Sequence, residues 1–184
     1  TLDSGDRVGR VVAEAIRAGV SILSAHTNWD SAPGGVSWSL ARTLDLEPTT
    51  VLVPADGRSD AGLGVIAAMR EPIHVNEIAS RIEERLPRGV MARVGAHRPH
   101  KRIALMGGSG SSAIRKAADS GATLYITADL GYHDAQEAEA LGLSVLVVDH
   151  GASERPGMID LAGRLDSLLS ISVAISETTT SPWR

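Results

Sequence analysis

The sequence contains no cysteine, and that absence alone excludes disulfide staples, thiolate metal sites and cysteine nucleophiles. Any metal must therefore sit on His, Asp, Glu or water. Phenylalanine is also missing and aromatic residues make up only 3% of the 184, so the core has to be built from Val, Ile, Leu and Ala. These residues suit parallel strands and the helices that cover them, and the length is enough to bury a core. Basic charge is not in excess: 18 Lys and Arg stand against 22 Asp and Glu, a formal net charge of −4, which leaves no general field for a phosphate backbone. No nucleic-acid partner is expected. Long apolar runs are absent too. Residues 143–148, interrupted by one serine, fall far short of the ~20 residues of a membrane span, so no membrane partner is expected. Residues 1–6 have neither the basic start nor the apolar stretch of a signal peptide, which makes the cytoplasm the expected location.

What is present reads as alternating helices and strands. Val8, Val11, Val12, Ala15 and Ile16 recur at helical spacing, with Ser4 placed to cap the helix and Gly19 to end it. An apolar strand is predicted at 20–25, a loop at 26–35, a helix through Val36, Leu40 and Leu44, a short strand at 50–54 and a loop at 55–64. Asn76, Ile78, Ala79, Ile82 and Leu86 mark another helix, stopped by Pro87, and residues 90–96 and 102–106 are β-like. Then strand, glycine-serine turn (107–112), helix to Ser120, strand (123–127), helix (134–141) and strand (143–148) alternate as βαβαβ. Short connections between apolar strands predict right-handed parallel crossovers. A helix at 158–169 and a strand at 171–176 follow. The expected fold is α/β, a mainly parallel sheet with flanking helices, in one domain over 1–184.

In open α/β sheets ligands bind beyond the carboxyl ends of the strands, and three such places look alike. His26 and Asp30 follow the first predicted strand, Asp129 and His133 follow 123–127, and Asp149, His150 and Glu154 follow 143–148. Each set pairs an imidazole with a carboxylate four positions away, a spacing that puts both on one face of a helical turn. Together they suit zinc, manganese or iron(II), or an acid-base site; a lone loop histidine is otherwise solvated or bonded to backbone. The turn of Gly107, Gly108, Ser109, Gly110, Ser111 and Ser112 invites an anion at the following helix N-terminus, with tight strand-to-helix packing as the alternative. It is neither a Walker loop nor the dinucleotide fingerprint, and its serines form no nucleophile elbow. The run His97, Arg98, Pro99, His100, Lys101, Arg102 reads as a solvated loop or a phosphate contact. Trp29 and Trp38 read as packing residues, Trp29 also as a candidate pocket wall.

At these loops the sequence resembles the Nif-three-like family, whose members are widely called GTP cyclohydrolase I type-two homologues. The run from Ala25 through His26, Thr27, Asn28, Trp29 and Asp30 to Gly34, Gly35 and Val36 is similar to its first motif. Gly107 to Ser112, then Thr127, Ala128, Asp129 and His133, resemble the second, and His150, Ser153, Glu154, Pro156 and Gly157 the third. The chain departs from the pattern at Trp29, Ser37, Ala128 and Ser181, where the family usually has Leu, Asn, Gly and Asp. The resemblance implies a dinuclear metal site with Asp30, His150 and Glu154 as ligands, Glu154 as the bridging carboxylate, and His26 and His133 as pocket groups able to move protons. It also implies a homohexamer and a hydrolase acting on a nucleotide-like or phosphorylated small molecule. A metal-stabilised binding or scaffold protein without turnover is the alternative. Family members carry an earlier His-His-Pro segment supplying two further ligands, which the resemblance places before Thr1, so one metal position is expected to be under-coordinated.

Overall fold

In the computed structural model, which describes residues 5–183, the central strands are those whose residues are apolar on both faces. Strands β4 (Pro99–Ser109), β5 (Leu124–Ala128) and β6 (Ser144–Val148) lie side by side and parallel. Successive side chains of a strand point to opposite faces, and the sheet accordingly separates two cores. Ile103, Leu105, Leu124, Ile126, Leu146 and Val148 belong to one, and Ala104, Met106, Tyr125, Val145 and Val147 to the other. The first is covered by helices α3 (Val36–Thr43), α4 (Val75–Arg85) and α7 (His150–Leu168), through Leu40, Ile78, Ile82 and Ala152. The second is covered by α5 (Ile114–Asp119) and α6 (Tyr132–Ala140), through Ile114, Ala117 and Ala138. Each fully buried Leu or Ile contributes about 1.5–3 kcal/mol, so packing rather than helix propensity holds these short helices in place.

The α/β class and the βαβαβ unit are as the sequence predicts, but the sheet as a whole is mixed rather than mainly parallel. Its order is β1-β2-β4-β5-β6-β3, and β1 (Pro48–Pro54), β2 (Gly62–His74) and β3 (Val90–Val94) all enter by antiparallel pairing. Chain length between elements explains part of this: the link from Pro54 to Gly62 is too short for a parallel crossover, which needs about a dozen residues. β2 occupies a stretch that the sequence reads as loop or leaves unassigned. Gly62, Gly64 and Pro72 are breaker signals, yet Val65, Ile66 and Ala67 are buried between β1 and β4, and Pro72 lies in the register shift between Ala68 and Ile73.

Residues 20–25 and 171–176, both expected as strands, do not form them. Neither segment enters the sheet, and Val20, Ile22, Leu23 and Ile171 remain exposed; apolarity without a ladder partner does not make a strand. Helix α1 (Arg7–Ala18) is capped by Asp6, whose carboxylate accepts the Val8 and Gly9 amides at 3.0 Å each, and ends at Gly19 in the left-handed region. Ser4, the cap expected from sequence, lies outside the described residues. Helix α7 begins at His150, well before the predicted start at 158, with Pro156 inside it. The break that Pro156 threatens is resisted by packing: Gly157 sits against Val36 and its carbonyl accepts the Trp29 indole N–H at 3.0 Å. Among the described residues no helix is long and apolar enough to cross a membrane.

Candidate functional site

The early start of α7 shapes the site, because it places His150 and Glu154 one turn apart at the carboxyl end of β6. Asp149 caps the helix, accepting the Ala152 amide at 2.9 Å, and His150 Nε2 lies 3.1 Å from Glu154 Oε1. From the end of β5, Asp129 turns toward the same imidazole, with its Oδ2 2.5 Å from His150 Nδ1. The end of β4 supplies the floor. Gly108 has φ +68°, and a Cβ there would stand 2.7 Å from Glu154 Oε1 and 3.4 Å from His150 Nε2, so only glycine lets β4 approach the two side chains so closely. The Gly108 amide donates to Ser153 Oγ at 2.8 Å, and that hydroxyl donates to the His150 carbonyl at 2.7 Å.

Helix α2 (Thr27–Asp30) closes the other side. A cavity of about 200 Å³ is lined by His26, Thr27, Asp30, Gly107, Gly108, Ser109, His150 and Glu154, among others. Burial pushes the Asp30 carboxyl above its ordinary value, although His26 and His150 pull it the other way. For His150, burial pulls the imidazole down, but the hydrogen bond it donates to Asp129 and the neighbouring Glu154 outweigh it, and the net direction is up.

The structure therefore gathers His26, Asp30, His150 and Glu154 around one cavity, although only His150 and Glu154 follow a strand, since residues 20–25 before His26 form none. It does not bring His133 there: that side chain is exposed on the first turn of α6, with Nδ1 3.3 Å from Gln136 Oε1 and its ring edge-on to Tyr132. The spacing of four from Asp129 has no helical meaning, because Asp129 lies before α6 starts and has φ +53°. Asp149 is drawn away as well, 3% exposed and bonded to the Ala152 amide and, at 2.6 Å, to Ser181 Oγ. In the glycine-serine turn, the Gly107 and Gly108 amides donate to Ser37 and Ser153 hydroxyls, while the Gly110 carbonyl accepts the Tyr125 hydroxyl. Those amides are engaged as the packing alternative requires. Trp29 is buried beneath α7, with Arg164 over its ring at 5.0 Å. Sequence spacing missed two contributors, Ser153 and the Asp129–His150 contact. Ser153 carries a signal in hindsight, a hydroxyl inside an otherwise buried helix face.

Residues 1–182 match the family described as Duf34/NIF3 (NGG1p interacting factor 3). The chain belongs to this family. A GTP cyclohydrolase 1 type 2 homolog of Streptomyces coelicolor is 36% identical over 95% of this chain and 65% of its own length. One of Clostridium perfringens is 29% identical over 94% of this chain and 66% of its own, so this NIF3-family chain spans about two thirds of the length of these relatives. Among solved structures, a Staphylococcus aureus hypothetical protein superposes with a TM-score of 0.84 at 24% identity, covering all of this chain and 74% of that one. A Bacillus cereus protein related to NIF3 gives 0.82 at 20% identity, covering all of this chain and 79% of that one. At such identities the likeness is one of fold.

The donor set of the NIF3-family cavity can be tested against a divalent cation. Among the described residues no three His, Asp or Glu side chains are grouped closely enough to hold a metal ion as they stand. Two do approach such a grouping. Ligands ~2.0–2.2 Å from a tetrahedral zinc-type ion lie roughly 3.3–3.6 Å from one another, and His150 Nε2 and Glu154 Oε1, separated by 3.1 Å, need to part only slightly to reach that spacing. Asp30 and His26 line the same cavity. Imidazole with carboxylates fits zinc, manganese or iron(II) in type.

Proposed function

We propose that the cavity binds one divalent cation through His150 and Glu154, completed by Asp30, and that the protein is a metal-dependent hydrolase of a phosphorylated or nucleotide-like small molecule. The observation that carries this is the 3.1 Å approach of His150 Nε2 to Glu154 Oε1 above a glycine floor that excludes any other side chain. When bound, a divalent cation supplies Lewis acidity. The chain's own residues do the rest. His26 lines the cavity near Asp30 and is placed to hold or release a proton there. Asp30, half-buried, gains a partner for a carboxylate that burial otherwise disfavours. At about 200 Å³ the cavity is smaller than the ~300 Å³ or more of drug-sized ligand sites, so it accommodates the reacting group of a substrate rather than a whole nucleotide. The homohexameric assembly implied by the family resemblance belongs to the same proposal and is measured by light scattering.

A metal-stabilised binding protein without turnover is the alternative, favoured by the absence of a ready three-donor grouping among the described residues. Hydrolysis of a panel of nucleotides and phosphate esters, with added zinc or manganese and with His150→Ala as control, separates the two. Turnover lost in the variant supports the hydrolase; metal uptake without turnover of any compound supports the binding protein.

A further inference from the structure

The His150 imidazole lies between two carboxylates, and a neutral imidazole has one hydrogen to give. Asp129 Oδ2 is 2.5 Å from Nδ1, and Glu154 Oε1 is 3.1 Å from Nε2. The shorter contact draws the hydrogen to Nδ1. Asp129 is held for this contact by a backbone that few residues adopt: its φ is +53°, and it is one of three described non-glycine residues with positive φ. Its carbonyl is fixed from the neighbouring turn, accepting the Ser111 hydroxyl at 3.0 Å. Left-handed geometry at a non-glycine residue costs free energy and persists where the surroundings hold it, often beside a functional group.

We propose that Asp129 is a positioning residue for His150: its carboxylate keeps the imidazole in the tautomer that carries hydrogen on Nδ1 and presents the Nε2 lone pair to the cavity beside Glu154. The bond at one ring nitrogen decides what the other can do, and a carboxylate behind a ligating histidine both orients the ring and raises its basicity. Ser111 and the left-handed turn act one step further back by fixing where Asp129 stands. The pairing of Asp129 with His150 also accounts for a chemically conspicuous acid that the four-residue spacing assigns to His133. What the Nε2 lone pair serves rests on the proposed function; the tautomer itself does not.

The test is nitrogen-15 NMR of the His150 ring in metal-free protein, at alkaline pH where the imidazole is neutral. The wild type is expected to show hydrogen on Nδ1. Asp129→Gly removes the carboxylate and suits the positive φ, so it is expected to fold and to shift His150 to the Nε2–H form that free imidazole prefers. Asp129→Asn, which tolerates the same backbone and keeps an acceptor oxygen without the charge, is expected to give a mixture; it also covers the case in which the glycine variant fails to fold. Zinc affinity is expected to fall about 10- to 100-fold in Asp129→Gly. An Nε2–H wild type, or a tautomer unchanged in both variants, overturns the proposal. If wild-type protein takes up no zinc, the metal function fails while the ring spectra still decide the role of Asp129.

Discussion

Ser153 Oγ accepts the Gly108 amide at 2.8 Å, and both groups are buried. The bond joins α7 to the end of β4 immediately beneath His150 and Glu154, and Ser153 is fully inaccessible. Replacing it with alanine leaves a buried amide without an acceptor, a loss of about 1–3 kcal/mol. Ser153→Ala is expected to lower stability by that amount in chemical denaturation, with an unchanged denaturant slope.

Gly108→Ala is expected to be harmful twice over. An alanine held at φ +68° costs about 1–2 kcal/mol, and its Cβ displaces the Glu154 carboxylate oxygen that lies 2.7 Å away. Zinc affinity should therefore fall together with stability, whereas Gly19→Ala, at a similar φ but with open space around it, should cost stability alone. Paired calorimetric titration and denaturation of the two variants separates these effects.

Trp29 is where the chain departs from the usual leucine of the resembled motif, and the structure gives it specific partners. Its indole N–H donates to the Gly157 carbonyl at 3.0 Å and its ring lies under Arg164. Trp29→Leu loses both contacts and some buried area, an expected cost of about 1–3 kcal/mol, read from thermal or chemical unfolding.

His100 predicts the acid side of the stability profile. It is 1% exposed, its Nδ1 is 2.9 Å from Thr123 Oγ1, and Nε2 has no hydrogen-bond partner among the described residues. Burial pushes the imidazole below its ordinary value, and Arg98 and His74 add to the shift. A histidine whose folded value is depressed binds its proton more readily in the unfolded chain, so stability is lost as pH falls through about 6.5. His100→Leu is expected to flatten the loss below about pH 6.5 in pH-dependent unfolding.

The parts of the fold legible in the sequence are those with simple periodicity. The parallel strands around Ile103, Leu124 and Leu146 are apolar runs between short helices, and they were readable as βαβαβ. β2 was not, because Gly62, Gly64 and Pro72 mimic a loop while the sheet on either side supplies its order. Residues 20–25 fail in the opposite sense, apolar enough for a strand but unpaired. For the site, the i to i+4 rule worked at His150 and Glu154 because α7 begins at His150. It failed at Asp129 and His133 because only one of them is in a helix. The Asp129–His150 contact joins the ends of two strands, and no local spacing encodes it.

The most direct measurement is metal stoichiometry. Chelator-stripped protein titrated with zinc or manganese, and read by calorimetry and elemental analysis, is predicted to bind one equivalent tightly per chain. His150→Ala, Glu154→Ala and Asp30→Ala should each weaken that binding while leaving the circular dichroism spectrum intact, since loop and helix-end ligands carry little of the core. Absence of tight binding in the wild type, or binding that all three variants retain unchanged, would contradict a cation site at this cavity.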